Sequence, residues 1–251
     1  MESYATAQQV FAAGLVFTRL GAIIMLIPGL GETFIPPRIR LSLALSLALM
    51  LMPVLGPTVP MIPAGVSGVA GAVIKEMAIG LLIGSIIRMF MSSLAAAGEI
   101  MSIQTTLAFA QTANPTQAQS SSTLGTFLGL MGVLLVMTTD LHHMFIAAIV
   151  KSYSLFPFTR DLQVTDAAQL AIQTTSKSFA LGLQLSAPVV VFSLVFNIAT
   201  GLVGRVMPQF QIFFVASPLM VLMGLSIFAL SIGTIGLVWV DHYRDLVRMF
   251  G

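Results

Sequence analysis

The sequence contains no cysteine, and only 8% of its 251 residues are charged. The lack of cysteine excludes disulfides, thiolate metal sites and a cysteine nucleophile. Soluble domains carry roughly 25% charged residues, so this composition excludes an ordinary cytosolic enzyme. The formal net charge of +2 is too small for the clustered Lys and Arg of a nucleic-acid-binding protein. We therefore expect neither a soluble enzyme nor a nucleic-acid partner.

Apolar residues make up 57% of the chain, and the mean hydropathy is +0.99. Four runs contain no Asp, Glu, Lys or Arg: residues 41–74, 100–139, 178–204 and 206–240. A membrane-spanning helix needs about 20 apolar residues, so each run is long enough. Since no segment alternates as a strand does, the sequence predicts an all-α membrane protein with at least six hydrophobic helices.

Pro and Gly mark the boundaries of the predicted helices. The predicted segments are 10–27, 41–52, 65–97, 124–152, a long helix from about 166 to a turn at 204–209, and 210–240 followed by a short charged tail. Pro188 and Pro218 fall inside the last two segments. We expect long, Pro-kinked hydrophobic helices that end in a helical hairpin.

Small residues at helical spacing predict close contacts between helices. Gly80 and Gly84 form one pair, and Gly125 and Gly129 form another. Glycine at every fourth position lets two helix backbones approach each other. On the long helix, a narrow polar stripe is predicted to face water or polar groups of neighbouring subunits; it comprises Asp166, Gln169, Gln173, Lys177 and Gln184.

A few charges lie within or beside the apolar segments. They are Arg19, Lys75, Glu76, Arg88 and Glu99. Burying an unpaired charge costs several kcal/mol, so each one needs a partner or water. We interpret Lys75, Glu76, Arg88 and Glu99 as members of structural ion pairs between packed helices or subunits; a proton or ion pathway is the alternative.

Asp140, His142 and His143 form the one local cluster of metal-ligating residue types in the sequence. On a continuous helix, residues 140 and 143 share a face and residue 142 points elsewhere. A zinc site needs three or four converging ligands. We therefore predict no metal site and no cofactor, and interpret the cluster as a polar helix end; a catalytic or metal site is the alternative.

Residues 104–123 have an unusual composition. Thirteen of these twenty residues are Ser, Thr, Asn or Gln, and none is charged. A surface loop usually carries Lys, Glu or Asp. Non-helical backbone inside a membrane assembly is tolerated only where protein or water satisfies its polar groups. The composition therefore favours a segment that faces a wet pore, with an ordinary surface loop as the alternative.

Several spaced motifs run along nearly the whole chain. They are Phe17, Arg19 and Gly21; Lys75-Glu76-x-x-x-Gly80-x-x-x-Gly84; Ala97-Gly98-Glu99-x-x-Ser102-x-Gln104; Asp140-Leu141-His142-His143; and Arg205-x-x-Pro208-Gln209-x-x-x-Phe213, with Pro218 and Gly224 downstream. In this order and spacing they resemble the export-gate family of type III secretion systems, whose flagellar members are called FliR and whose injectisome members are called SctT. One departure is Thr106, where the family pattern has a glycine two residues after the Gln.

The resemblance implies a subunit of the flagellar export gate, in the bacterial inner membrane at the flagellar basal body. It implies that residues 1–165 resemble the sister subunit FliP and include a channel loop at about 104–123. Residues 166–251 resemble a FliQ helical hairpin with a short charged tail. The resemblance implies a gate that contains five copies of FliP and four of FliQ, with FlhB and FlhA as further partners. The gate would admit unfolded flagellar export substrates and is not an enzyme.

The resemblance also assigns roles to individual residues. The channel plug is predicted to comprise Gln104, Phe109, Gln111, Asn114 and Pro115, with Phe109 as its apolar stopper. Arg205, Pro208 and Gln209 are predicted to pack at helix interfaces. The alternative function from another class is an autonomous multi-spanning transporter or channel for small solutes, and an intramembrane enzyme is the third.

Overall fold

The structure is a computed structural model that describes residues 6–31, 35–108, 122–159, 164–209 and 211–250. Within these residues it contains α-helices and one short 3-10 turn but no strand, which confirms the all-α prediction. The helices are α1 Ala7–Leu26, α2 Pro37–Leu55, α3 Val66–Gln104, α4 Thr123–Thr138, α5 Leu141–Leu155, α6 Val164–Val206 and α7 Ile212–Phe250.

The described helices have the length and composition of membrane spans. Five candidate spans are Ala7–Leu26, Pro37–Thr58, Val66–Gln104, Thr165–Val206 and Phe214–Arg248. The pair α4 and α5 passes the same test together and makes a sixth if it counts as one broken span. This agrees with the membrane protein that the uncharged runs predict.

The helix is interrupted between α4 and α5, so the prediction of a single helix over residues 124–152 is wrong. The Thr139 hydroxyl donates a hydrogen bond of 2.7 Å to Leu135 O, which also accepts the Thr139 N–H at 3.0 Å. Such side-chain bonds compete with the helical ladder. Asp140 then adopts a left-handed conformation with φ 56°, which Asp tolerates better than most residues do. The first helix therefore ends, and a second begins at Leu141.

Three other helices are longer than the sequence predicts. Helix α2 covers Pro37–Leu55 instead of residues 41–52, with Pro53 inside it. Helix α3 continues beyond residue 97 to Gln104. The charged tail continues α7 as a helix, where Arg244 pairs with Asp241 at 3.3 Å and Arg248 with Asp245 at 3.7 Å. Pairs at this i,i+3 spacing stabilise an exposed helix by about 0.2–0.5 kcal/mol each.

The chain divides into two compact units. The first contains Met1–Phe90, Asp140–Thr175 and Asp245–Gly251, and the second contains Met91–Thr139 and Ser176–Arg244. The division at residue 165 into a FliP-like and a FliQ-like part concerns resemblance rather than packing, so it stays a prediction.

In the first unit, α1 packs closely against α3 at Gly80 and Gly84. A Cβ added at Gly80 would lie 2.6 Å from Arg19 O and 2.7 Å from Ala22 Cβ. A Cβ added at Gly84 would lie 2.8 Å from Leu26 Cβ. Neither glycine leaves room for a side chain, which is the geometry expected of the small-residue spacing.

In the second unit, α6 presents small side chains to α3. Ser178 and Ser186 are buried on either side of Gly182, where an added Cβ would lie 2.9 Å from Ser93 O. Trp239 of α7 is fully buried and donates from Nε1 to the Ser93 hydroxyl at 3.2 Å. Gly182 of α6 therefore makes a second close helix contact, which the sequence-based predictions did not include.

Large apolar side chains remain exposed on the outer faces of α2, α6 and α7. They include Leu49, Val54, Leu194, Leu202, Phe214 and Leu230. Large apolar side chains exposed in such number along helices indicate contact with lipid or with other protein chains.

Candidate functional site

Helix α3 ends where the uncharged segment begins, and its last residues are fixed to α6 and α7. The Gln104 side chain accepts a hydrogen bond from the Ser193 hydroxyl at 2.7 Å through Oε1. The next residue, Thr105, is 1% exposed. A Cβ added to Gly224 of α7 would collide with the Thr105 methyl group. Two consecutive residues thus hold the entry to the segment in place.

Thr106 continues this anchor with an unusual backbone. Its φ is 59°, in the left-handed region. Its N–H donates to Ile103 O at 3.2 Å, and its hydroxyl lies 3.3 Å from the Ser217 hydroxyl of α7. Helices often end with a left-handed residue, which is usually glycine. A left-handed β-branched residue costs on the order of 1–3 kcal/mol, and a glycine at this position would avoid that cost.

We expect Thr106→Gly to be more stable than Thr106→Val by about 1–2 kcal/mol, because valine keeps the left-handed strain and glycine removes it. Both variants lose the hydroxyl contact with Ser217, so their difference isolates the backbone. Thermal unfolding of the detergent-purified proteins measures it. Equal stability of the two variants would contradict the strain.

Glu99 and Ser122 hold the exit from the segment. The Ser122 N–H donates a hydrogen bond to Glu99 Oε1. The Ser122 hydroxyl accepts one from Gly125 N at 3.0 Å and so caps α4. A carboxylate at a helix N-terminus accepts strong, charge-assisted hydrogen bonds and interacts favourably with the helix dipole. Glu99 therefore joins α3 to the start of α4.

The two anchors lie close together along α3. Glu99 and Gln104 are five residues apart on one helix, a rise of roughly 7.5 Å. The chain thus leaves and returns at one end of α3. The predicted plug residues Phe109, Gln111, Asn114 and Pro115 lie outside the described residues, so the plug stays a prediction.

An open groove of about 270 Å³ lies beside the entry anchor, between α6 and α7. Thr106, Asn197, Thr200 and Ser217 supply its polar groups. Its apolar lining comes from Phe196, Ile212, Ala216 and Met220, with Gly201 between them. The end of α3 therefore lies beside a mixed polar and apolar surface.

The second predicted glycine pair divides into two different environments. A Cβ added at Gly98 of α3 would lie 2.5 Å from the Gly125 Cα atom. A Cβ added at Gly125 would lie 2.9 Å from Glu99 Oε1 and 3.1 Å from Ala95 O. At Gly129 an added Cβ would meet no described atom within 4 Å. Gly98, rather than Gly129, is therefore the partner of Gly125 within the chain.

A buried arginine is the main polar feature of the first unit. Arg19 is 0% exposed and Glu76 is 1% exposed, and Arg19 Nε lies 2.6 Å from Glu76 Oε2. Arg19 also donates to Ser152 O at 3.2 Å and to Phe156 O at 2.8 Å. These carbonyls lie in the last turn of α5 and at the residue after it, where a cation interacts favourably with the helix dipole; Ser152 O also accepts the Phe156 N–H at 2.8 Å. One guanidinium thus connects α1, α3 and α5.

Aromatic rings and a lysine complete this cluster. The Arg19 guanidinium lies 4.1 Å from the centre of the Tyr153 ring and 5.5 Å from that of Phe158. A cation over an aromatic face is attracted by the ring quadrupole. Lys75 Nζ donates to Phe158 O at 2.7 Å, and the Tyr153 hydroxyl donates to Val16 O at 3.4 Å. Nε and both terminal nitrogens of Arg19 therefore each donate a hydrogen bond within the chain. This arrangement suits a structural role.

The charged residues of the sequence analysis thus have different surroundings. Glu76 pairs with Arg19, Lys75 bonds a backbone carbonyl, and Glu99 bonds the Ser122 N–H. Arg88 is exposed. Of the four residues predicted to form ion pairs, Glu76 is the one that the described part of the chain pairs with an oppositely charged side chain.

The residues predicted to pack at helix interfaces and those of the predicted polar stripe lie at accessible positions. Arg205, Pro208 and Gln209 are exposed at the turn between α6 and α7. The polar stripe of α6 is exposed as well; it comprises Asp166, Gln169, Gln173, Lys177 and Gln184. Both sets are free to contact water or another chain, and their roles at an interface stay predictions.

Comparison with known proteins gives one consistent family. The family model of the bacterial export proteins, family 1, matches residues 10–246. The flagellar biosynthetic protein FliR of Caulobacter vibrioides is 60% identical over 250 residues, covering 100% of both chains. The FliR proteins of Aquifex aeolicus and Escherichia coli are each 27% identical, covering 94% and 84% of this chain and 91% and 80% of their own lengths.

Proposed function

The chain belongs to the bacterial export proteins, family 1, and from that premise we propose how it works in the export gate. It is a membrane component of the flagellar export apparatus. In our proposal it helps to form the entry channel for unfolded export substrates in the bacterial inner membrane, at the flagellar basal body. Its segment 104–123 contributes to the resting plug.

The observation that carries this proposal is the double anchor of the uncharged segment. Its entry is fixed through Gln104 to Ser193, and its exit through Ser122 to Glu99. A segment held at both ends can project from a rigid helix end while its position stays fixed. The segment between the anchors contains no charged residue. This composition favours a lumen lined by neutral polar groups rather than a lumen lined by charged groups that attract ions.

The exposed apolar surfaces of α2, α6 and α7 support an assembly with other membrane chains. We propose sister subunits of the FliP and FliQ kinds as the partners that cover them, with FlhB and FlhA as further neighbours. We propose four contact points: the exposed turn residues Arg205, Pro208 and Gln209, and Gly129, where an added Cβ would meet no described atom within 4 Å.

The buried charges give no support to an autonomous solute transporter or to an enzyme. A transporter needs a charged or broken-helix site that is free to bind substrate near the midplane. The nitrogens of Arg19 are occupied by Glu76 and by two helix carbonyls. We therefore propose a structural, non-catalytic role for this cluster.

We expect deletion of residues 109–115, or Phe109→Ala alone, to increase ion leakage through the assembled gate, because the deletion removes the proposed apolar stopper and Phe109→Ala removes its ring. Leakage is measured in cells that produce the complete gate without substrate. Met61→Ala is the matched control, since Met61 is an apolar side chain 87% exposed in a different loop.

Assembly must be verified for every variant by co-purification with two kinds of small membrane subunit. Unchanged leakage in an assembled gate that lacks residues 109–115 would remove the plug role. A chain that transports a solute alone in liposomes would instead support the transporter.

A further inference from the structure

Asp140, His142 and His143 converge at the break between α4 and α5. One ligand atom of each residue lies within 4.8 Å of the other two. The prediction that His142 lies on a separate face depends on the assumption of one continuous helix. That assumption fails because Asp140 precedes α5 as its N-terminal flanking residue, with φ 56°. The break therefore brings together groups that a regular helix would separate.

The distances suit a cation with modest adjustment. Zinc binds imidazole nitrogen and carboxylate oxygen at about 2.0–2.2 Å, so neighbouring ligand atoms in a tetrahedral site lie roughly 3.4 Å apart. His143 Nδ1 lies 3.7 Å from Asp140 Oδ1, and these side chains are 71% and 80% exposed. Exposed side chains of this kind can rotate by the small amount needed to close the site.

His142 supplies an independent observation. Its Nδ1 atom is buried and has no hydrogen-bond partner in the structure of the described residues. Buried polar atoms are nearly always paired, and a bound cation is one partner that would satisfy the His142 ring. The exposed contact of His143 with Asp140 is worth little by itself and leaves His142 unexplained.

The donor set indicates the kind of ion. Two imidazole nitrogens and one carboxylate oxygen, with no sulfur, suit Zn²⁺, Ni²⁺ or Cu²⁺ better than Ca²⁺ or Mg²⁺, which prefer oxygen alone. We propose that Asp140, His142 and His143 bind one divalent cation of the zinc class. The ion would join the residue before α5 to the first turn of that helix and fix the break. Water fills the remaining coordination position.

The test is a calorimetric Zn²⁺ titration of the full chain, purified in detergent with its co-purifying subunits and without a histidine tag. His142→Ala/His143→Ala is compared with His242→Ala, which changes the third histidine of the chain. His242 is the matched control because its Nδ1 contacts Val238 O within α7. We expect wild type and His242→Ala to bind the same amount of Zn²⁺, and the double variant to bind at least 10-fold more weakly.

A second measurement keeps the proposal testable if the double variant folds poorly. His143→Ala and Asp140→Asn change exposed side chains only, so metal-free melting should be unchanged, while the rise in melting temperature on adding Zn²⁺ should shrink. Three results would overturn the site: no Zn²⁺ uptake by wild type, wild-type affinity in the double variant, or an equal loss in His242→Ala.

Discussion

Arg19→Leu is expected to destabilise the chain by about 3–5 kcal/mol, because it leaves Glu76 as an uncompensated buried charge. Glu76 is 1% exposed, and its Oε2 atom lies 2.6 Å from Arg19 Nε. The substitution also removes the donors to Ser152 O and Phe156 O. Native proteins are stable by about 5–15 kcal/mol, so we expect little folded protein to remain.

The measurements are the abundance of the chain in membranes and its thermal unfolding in detergent. Arg88→Leu is the matched control, since Arg88 lies on the same helix as Glu76 but is exposed. Arg19→Leu/Glu76→Leu should recover part of the loss, because no unpaired charge remains. An Arg19→Leu protein as abundant and stable as Arg88→Leu would show that the pair does not hold the unit together.

The helical architecture could be predicted from the sequence, since a run of more than 20 uncharged apolar residues has few other ways to satisfy its backbone in a membrane. The break at Asp140 could not, because residues 124–138 and 141–155 are both apolar and helix-forming. The helix is interrupted at one left-handed residue, next to one hydrogen bond from the Thr139 hydroxyl. Composition shows neither feature.

The sequence predicts that each buried charged residue has a partner, but it does not identify that partner. Arg19 and Glu76 are 57 residues apart, and a lone cation in one apolar segment does not specify which distant acid it meets. Lys75 is adjacent to Glu76 in sequence, yet it bonds a carbonyl instead. Pairing across helices depends on their rotation and register, which the periodicity of one helix does not determine.

The candidate site was predicted in part. The uncharged composition marks residues 104–123, but the departure from the family pattern at Thr106 did not specify the local backbone, where the structure has φ 59°. Ser193 and Ser217 carried no recognisable signal, because single serines are common on hydrophobic helices. A recognisable signal was present on α6, where small residues stand four positions apart, as Gly80 and Gly84 do; they are Ser178, Gly182 and Ser186.

Gly98→Ala and Gly129→Ala are expected to differ in stability by about 1–3 kcal/mol, the cost of overpacking at Gly98, although both change one helical glycine to alanine. Alanine favours a helix by about 1 kcal/mol over glycine. At Gly129 an added Cβ would meet no described atom within 4 Å, so the variant should gain that amount. At Gly98 the Cβ would lie 2.5 Å from Gly125 Cα, and forced overpacking costs about 1–3 kcal/mol.

The contrast separates packing within the chain from packing between chains. Thermal unfolding of the purified chain should show the loss at Gly98 and none at Gly129. If Gly129 contacts a sister subunit, Gly129→Leu should reduce co-purification of that subunit while the melting temperature of the chain alone stays unchanged. A Gly98→Ala protein as stable as wild type would mean that α3 and α4 can move apart without cost to accommodate the added Cβ. The contact between Glu99 and Ser122 would then not hold the end of the uncharged segment at a fixed position.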